Sequence, residues 1–262
     1  MLIDVQSLKP EIEIPIDMVG ITDVKVPCIL KFAEPSTSVA TVSALVSLSE
    51  NYKGTHMSRI SEEILSSPLE ISISSFLEKA KHLKDKLASD LAMIKAICEV
   101  FVRKSSPATK RNGFYPVNYE LGVLIDENLR KIWQTVTMEI MTLCPCSKEI
   151  SKYNAHNQRA RVIVRVYSDM DLFHSIVKIV DEAASSPLFP ILKRPDEKVV
   201  TESSYEKPNF VEDIARLIAS KLENLNVKFT VEVKSFESIH PYNAFCKIIR
   251  DCKNTNGLSS ST

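Results

Sequence analysis

Two thiols and an imidazole, Cys144, Cys146 and His156, fall within one short polar segment, LCPCSKEISKYNAHNQR, residues 143–159. Cysteine and histidine are the side chains that best hold a borderline-soft transition metal. A thiolate, an imidazole and one distant carboxylate would give three ligands. Three protein ligands leave a position open for water, as catalytic metal sites do. The same residues also read as two buried thiols and a loop histidine, because free cysteine is among the most buried residue types.

Carboxylates that could complete such a set come later in the chain. Glu197 and Glu202 lie in LKRPDEKVVTESSYEKP, a charged, proline-bounded stretch that reads as a solvated loop. Glu212 falls in the first turn of a helix opening at Asn209–Phe210, where it either complements the helix dipole, closes an Asn209-x-x-Glu212 capping box, or faces a ligand. Glu237 and His240, three apart in SFESIHPYNAF, follow a strand directly; they suit proton transfer or a surface turn. His56, with Lys53 and Arg59 in KGTHMSR, gives a cationic cluster able to grip phosphate, a weak signal when taken alone. His82 and His174 lie on amphipathic helices and carry no chemistry.

Composition narrows the classes. The chain has 262 residues, 44% hydrophobic and 25% charged, which is ordinary for a globular protein of one large or two modest domains. Lysine plus arginine equals aspartate plus glutamate, 33 against 33, so the electrostatic footprint of a nucleic-acid binder is missing. No apolar run approaches the ~20 residues that span a bilayer, and MLIDVQSLKPEIEI lacks the pattern of a signal peptide. No nucleic-acid partner and no membrane are expected, and a cytoplasmic, reducing setting is. The six cysteines then read as free thiols or ligands. With five glycines and no glycine-rich phosphate loop, any nucleotide must be held by other means.

The elements that must position these residues follow from periodicity. Strands are expected at about 15–32 and 39–49, helices at about 59–66 and 73–88, with Ser75 and Glu78 as a capping box, then strands at about 92–104 and 116–126. The order returns: strands at about 130–142 and 159–168, a helix at about 171–184 capped by Asp171, another at about 210–224 with Phe210, Val211, Ile214, Leu217, Ile218 and Leu222 inward, a clean strand alternating through Val227, Phe229, Val231 and Val233, and a last strand at about 243–250. Two β-β-α-α-β-β halves result, residues 1–128 and 129–250, with a polar tail over 251–262. The fold class is α+β, with antiparallel sheets covered by helices. Exposed sheet edges favour assembly into closed barrels. If 130–142 and 159–168 are neighbours, Cys144 and His156 meet at one hairpin end, which strengthens the metal reading.

KGTHMSR (53–59), LCPCSKEISKYNAHNQR (143–159), LKRPDEKVVTESSYEKPNFVED (192–213) and FESIHPYNAF (236–245), with IDVQ and EIPIDMVGITDVKVP near the start, closely resemble the type IB GTP cyclohydrolases. The four blocks occur in the family's order across nearly the whole chain. The resemblance implies the tunnelling fold, a homotetramer with active sites between subunits, and hydrolysis of GTP to 7,8-dihydroneopterin triphosphate and formate. It implies one divalent metal per site (zinc, manganese or iron) on Cys144, His156 and Glu197. It implies Glu212 as the guanine anchor, Glu237 and His240 at the reacting centre, and the His56 loop, with Arg59, at the border of the site. The archaeal iron-dependent cyclohydrolases, which form a cyclic phosphate, resemble the chain too, but the nine residues between Cys146 and His156 match type IB. A tunnelling-fold nitrile reductase, with a cysteine nucleophile, and a scaffold with a structural metal are the other classes.

Overall fold

Alternation with a period of two makes strands of long stretches of this chain, because successive side chains of an extended backbone point to opposite faces. In the structure, a computed structural model describing residues 4–32 and 36–251, the strands are β1 (Ile16–Leu30), β2 (Ser36–Leu48), β3 (Leu69–Ile71), β4 (Ala92–Ser105), β5 (Asn112–Ile125), β6 (Arg130–Leu143), β7 (Asn157–Tyr167), β8 (Lys228–Ser235) and β9 (Phe245–Arg250). The helices are α1 (Met57–Leu65), α2 (Ile73–Lys86), α3 (Pro145–Ile150), α4 (Phe173–Ala183), α5 (Arg194–Glu206) and α6 (Val211–Glu223). Apart from Asp251, the expected tail lies outside the described residues. Among the described residues no helix is long and apolar enough to cross a membrane.

The expectation of sheets closing into barrels is corrected. Hydrogen-bonded neighbours follow the order β3-β1-β2-β4-β5-β6-β7-β8-β9, and this sheet is open, with β3 and β9 at its edges. Closure needs an unbroken ladder between the two edge strands. Here the edges are a three-residue strand and a six-residue strand that do not pair with each other. The pairing is also not wholly antiparallel, since β3 runs parallel to β1.

The chain divides into two compact units. The first comprises the chain up to Val102, Pro116–Gln134 and Asp169–Asp171; the second comprises Arg103–Tyr115, Thr135–Ser168 and the chain from Leu172 on. In the first, α1 packs on β1 and against α2. Ile60, Ile64, Phe76, Ala80 and Leu83 are buried, as are Val26, Cys28 and Leu30 of β1 and Ala40, Val42, Ala44 and Val46 of β2. Each fully buried large apolar side chain contributes ~1.5–3 kcal/mol. The α2 cap is Ser72, whose hydroxyl accepts from Ser75 N at 3.2 Å, so Ser75 is the capped residue and not the cap.

In the second unit α6 packs on β8, β9 and α4. Val211, Ile214, Ile218 and Leu222 are buried as expected, whereas Phe210 and Leu217 are 40% and 38% exposed. Phe210 is the N-cap residue and so precedes the first turn. Antiparallel β7 and β8 set Val162 opposite Val233, Val164 opposite Val231 and Val166 opposite Phe229, and all six are buried. Two departures concern helices. The N-cap of α4 is Leu172, with no side-chain cap bond, in place of Asp171. Residues expected as a solvated loop form α5, with Pro195 in its first turn, where its missing N–H costs no hydrogen bond.

Gly122 of β5 is buried under Trp133 of β6, whose indole N–H donates to Glu120 Oε1 at 2.6 Å. A Cβ at Gly122 would collide with the indole ring. Gly122→Ala is expected to destabilise the protein by ~1–3 kcal/mol, the cost of an overpacked site; urea unfolding followed by tryptophan fluorescence measures it.

Candidate active site

The register of β7 on β8 builds the site. Ala160 lies opposite Ser235, and Phe236 N donates to Arg159 O at 2.8 Å, so the ladder continues past the named end of β8. Extending it by one further residue on each strand brings Gln158 opposite Glu237, and Gln158 Nε2 lies 3.4 Å from Glu237 Oε1. On the other side Gln158 Nε2 donates to Thr142 Oγ1 of β6 at 3.1 Å. Thr142, Gln158 and Glu237 therefore form one polar row across three strands. It lies on the face whose preceding residues, Ile140, Ala160 and Ser235, are buried.

The next row holds the candidate metal ligands. Cys144 N donates to His156 O at 3.2 Å, which joins these two residues where β6 ends and β7 begins, as expected of a hairpin end. Cys144 caps the short helix α3, and its Sγ accepts from Ser147 N at 3.4 Å. The loop from α3 back to β7 turns through Asn154 at φ 74°, a left-handed conformation that asparagine tolerates better than most residues. His156 is half-buried, and its Nδ1 lies 2.8 Å from Gln158 Oε1 and 3.2 Å from Ser238 Oγ. Cys146 is exposed.

Helix α5 carries the carboxylate candidates. Its Asp196 is fully buried. It accepts from Ala108 N at 2.9 Å, Thr109 N at 2.7 Å, Thr109 Oγ1 at 2.6 Å and Lys193 N at 2.9 Å. Burial works to raise its pKa, but the Thr109 hydroxyl and the N–H groups of Thr109, Lys193 and Ala108 outweigh it and hold the carboxyl well below the usual range. At the far end of α5, Tyr205 Oη donates to Ala155 O at 3.0 Å, and Lys148 Nζ donates to Tyr205 O. The helix thus ties the loop that ends at His156. Glu202 is engaged with Lys198 at 2.8 Å. Glu197, exposed on the first turn, makes no side-chain hydrogen bond or ion pair among the described residues. Among those residues no three histidine, cysteine, aspartate or glutamate side chains gather closely enough to hold a metal. The chemistry of Cys144 and His156 fits two ligands, and Glu197 is not drawn together with them.

Glu212 does not cap its helix. Asp213 does, accepting from Phe210 N at 3.2 Å, so the Asn209–Glu212 box is corrected. Asn209 N instead donates to Leu143 O at 3.2 Å, fixing the entry to α6 beside the end of β6 that carries Cys144. The Cys246 thiol of β9 is pushed up by burial and then by the negative charge of Glu212. The loop from β8 to β9 is closed by Ser235 N donating to Ala244 O at 3.0 Å. Within it Glu237 accepts from Ser235 Oγ and Gln158. His240 is exposed and stacks on Tyr242 at 4.8 Å. No hydrogen bond links Glu237 to His240. In the first unit His56 is the N-cap residue of α1, with Nε2 3.6 Å from Asp4 Oδ2, and Arg59 donates to Lys86 O at 3.2 Å.

Sequence reasoning passed over Gln158, Thr142, Ser235 and Asp196. The i, i+2 spacing of His156 and Gln158 was a usable signal, since it puts both on one strand face. Nothing local pairs Asp196 with Thr109, 87 residues away.

A family model described as GCHY-1, type I GTP cyclohydrolase folE2, matches residues 2–246. The GTP cyclohydrolase FolE2 of Thermosipho melanesiensis is 42% identical over 250 residues, covering 92% of this chain and 95% of that protein. The FolE2 of Fervidobacterium nodosum is 38% identical over 256 residues, covering 96% and 98%. The FolE2 of Nitrosomonas eutropha is 38% identical over 255 residues, covering 95% and 95%. Two solved structures share the fold at 8% identity: a hyper-thermostable uricase mutant (TM-score 0.52, covering 94% of each chain) and the urate oxidase of Bacillus subtilis 168 (TM-score 0.50, 89% of this chain and 98% of that one).

A group whose folded pKa is depressed stabilises the fold above its unfolded pKa and loses that contribution as pH falls through the folded value. Asp196→Asn should therefore lower Tm by an amount that is constant from neutral pH down to about pH 5 and shrinks below about pH 4, where the unfolded aspartate takes up its proton. Thermal melts of both proteins across that range check this.

Proposed function

The chain belongs to the type I GTP cyclohydrolase FolE2 family, and on that premise we propose that it converts GTP to 7,8-dihydroneopterin triphosphate and formate by water attack at guanine C8. It is a GTP cyclohydrolase of type IB acting on GTP, an activity consistent with the first step toward pterins and folates, on the tunnelling fold. The observation that carries the mechanistic reading is the pairing of Cys144 with His156 at one strand end, next to a polar row that includes Glu237.

We propose that Cys144 and His156 would hold one divalent metal (zinc, manganese or iron), with Glu197, which this structure leaves apart from them, as the third ligand that the family resemblance implies. When bound, it would supply the Lewis acidity that lowers the pKa of a water molecule toward neutrality. The remaining work falls to side chains. Glu212, free of capping duty, accepts from guanine N1–H and the 2-amino group. Adenine lacks that donor pair, so the same contact rejects ATP. His240 protonates N7, which makes C8 electrophilic, and Glu237 at the neighbouring strand end assists proton movement. The cluster of His56 and Arg59 serves the triphosphate at the border of the site. We propose a homotetramer whose active sites draw on more than one subunit. We also place the protein in the cytoplasm, because oxidation of Cys144 would remove its metal-binding thiolate.

Formate and pterin analysis after incubation with GTP tests the product; a cyclic phosphate in place of the triphosphate would overturn that part of the reading. Cys144→Ala and His156→Ala should each lose bound metal and turnover, checked by metal analysis beside formate release. Glu212→Gln should change stability by less than ~1 kcal/mol, the scale of a helix-terminus charge. Its kcat/KM for GTP should fall roughly 100-fold or more, because the new NH₂ meets the guanine donors. Near-native kcat/KM would make Glu212 a helix-terminus residue only. Sedimentation of a fully active monomer would refute the composite site.

A further inference from the structure

Gln158 stands between two groups of the proposed site. Its Oε1 lies 2.8 Å from His156 Nδ1, and its Nε2 lies 3.1 Å from Thr142 Oγ1 and 3.4 Å from Glu237 Oε1. A carboxylate can only accept hydrogen bonds. The end of the amide that faces Glu237 must therefore be the NH₂, and the end that faces His156 must be the carbonyl. A carbonyl also only accepts, so His156 Nδ1 must carry the proton. In a neutral imidazole this leaves the lone pair on Nε2. Ser238 Oγ, 3.2 Å from the same Nδ1, can accept from it as well.

We infer that Gln158 is a positioning residue that fixes His156 in the Nδ1–H tautomer, so that Nε2 is the atom offered to the metal, and that it takes its own orientation from Glu237. The inference rests on the metal reading of Cys144 and His156. Partners of this kind set the ring plane and tautomer of a histidine ligand, and their loss weakens metal binding without removing any ligand. Thr142 is 1% exposed and Ser235 fully buried. They hold the row from either side, Thr142 through Gln158 and Ser235 through Glu237. The amide is thus held on one side by buried Thr142 and on the other by a Glu237 that buried Ser235 anchors.

Cobalt(II), whose thiolate charge-transfer and ligand-field bands report its coordination, is titrated into the metal-free full chain as wild type, Gln158→Met, Gln158→Glu and His156→Ala. Gln158→Met keeps the volume but neither polar end; it should bind cobalt roughly 10- to 100-fold more weakly. Gln158→Glu still accepts from Nδ1–H; its cobalt affinity should stay within about threefold of wild type, while kcat for GTP falls because a second carboxylate then faces Glu237. Wild-type affinity in Gln158→Met, or equal weakening in both Gln158 variants, overturns the tautomer assignment. If His156→Ala binds cobalt as tightly as wild type, the metal reading itself fails and the inference with it. If His156→Ala loses cobalt and Gln158→Met does not, the inference alone fails. Melts of the apo proteins run on the same samples, and Gln158→Asn, too short to span both partners, replaces any Gln158 variant that does not fold.

Discussion

One register holds this site together. Val162 against Val233 and Val164 against Val231 lock β7 to β8, and these rows are buried beneath the helices. Side chains alternate with a period of two, so a slip of one residue would turn Arg161, Ile163 and Arg165 inward and every valine outward. The apolar rows forbid that slip. They fix in passing the polar row that continues them, Thr142, Gln158 and Glu237, and the row beyond it with Cys144 and His156. The chemistry inherits its alignment from core packing several residues away.

Helices complete what the sheet begins. Asn209 bonds to Leu143, which brings the start of α6, and Glu212 with it, to the Cys144 end of β6. Asp213 takes over the cap, which leaves Glu212 without a structural duty at a helix terminus, where a carboxylate is already favoured. Helix α5 is tied at its start through Asp196 to residues 108–109 and at its end through Tyr205 to Ala155. The loop leading to His156 is therefore braced by a helix and does not depend on its own polar sequence for its shape.

Much of this was legible in the sequence. The alternation of β8, the inward stripe of α4 through Phe173, Ile176, Val177 and Val180, all buried, and the hairpin end joining Cys144 to His156 all follow from local patterns. What escaped depends on distant partners. Helix α5 reads as loop because its many charged residues leave only a weak apolar stripe, and Asp196, which accepts from the N-cap Lys193 N–H, is buried against Ala108 and Thr109 from another part of the chain. Ser72 caps α2 three residues before the expected Ser75, and Asp213 takes the capping bond one residue after Glu212. Assembly into closed barrels was expected from exposed sheet edges, whereas the sheet is open, with the short strands β3 and β9 at its edges. Gln158 was in plain view within HNQR, but its partners become visible only once three strands are aligned.

The asymmetry between Glu237 and His240 has a thermodynamic consequence. Glu237 is tied to the strand ends through Gln158 and Ser235, so freeing it means fraying the ends of β7 and β8. His240 stands exposed on the loop that follows, its ring resting on Tyr242. The carboxylate half of the site is thus preorganised before any nucleotide arrives. In the proposed site, holding the exposed imidazole of His240 against guanine would draw on the substrate's own binding free energy. On that proposal, a ligand lacking the group that His240 would meet gains the contacts of the fixed strand end but not those of the exposed loop beyond it.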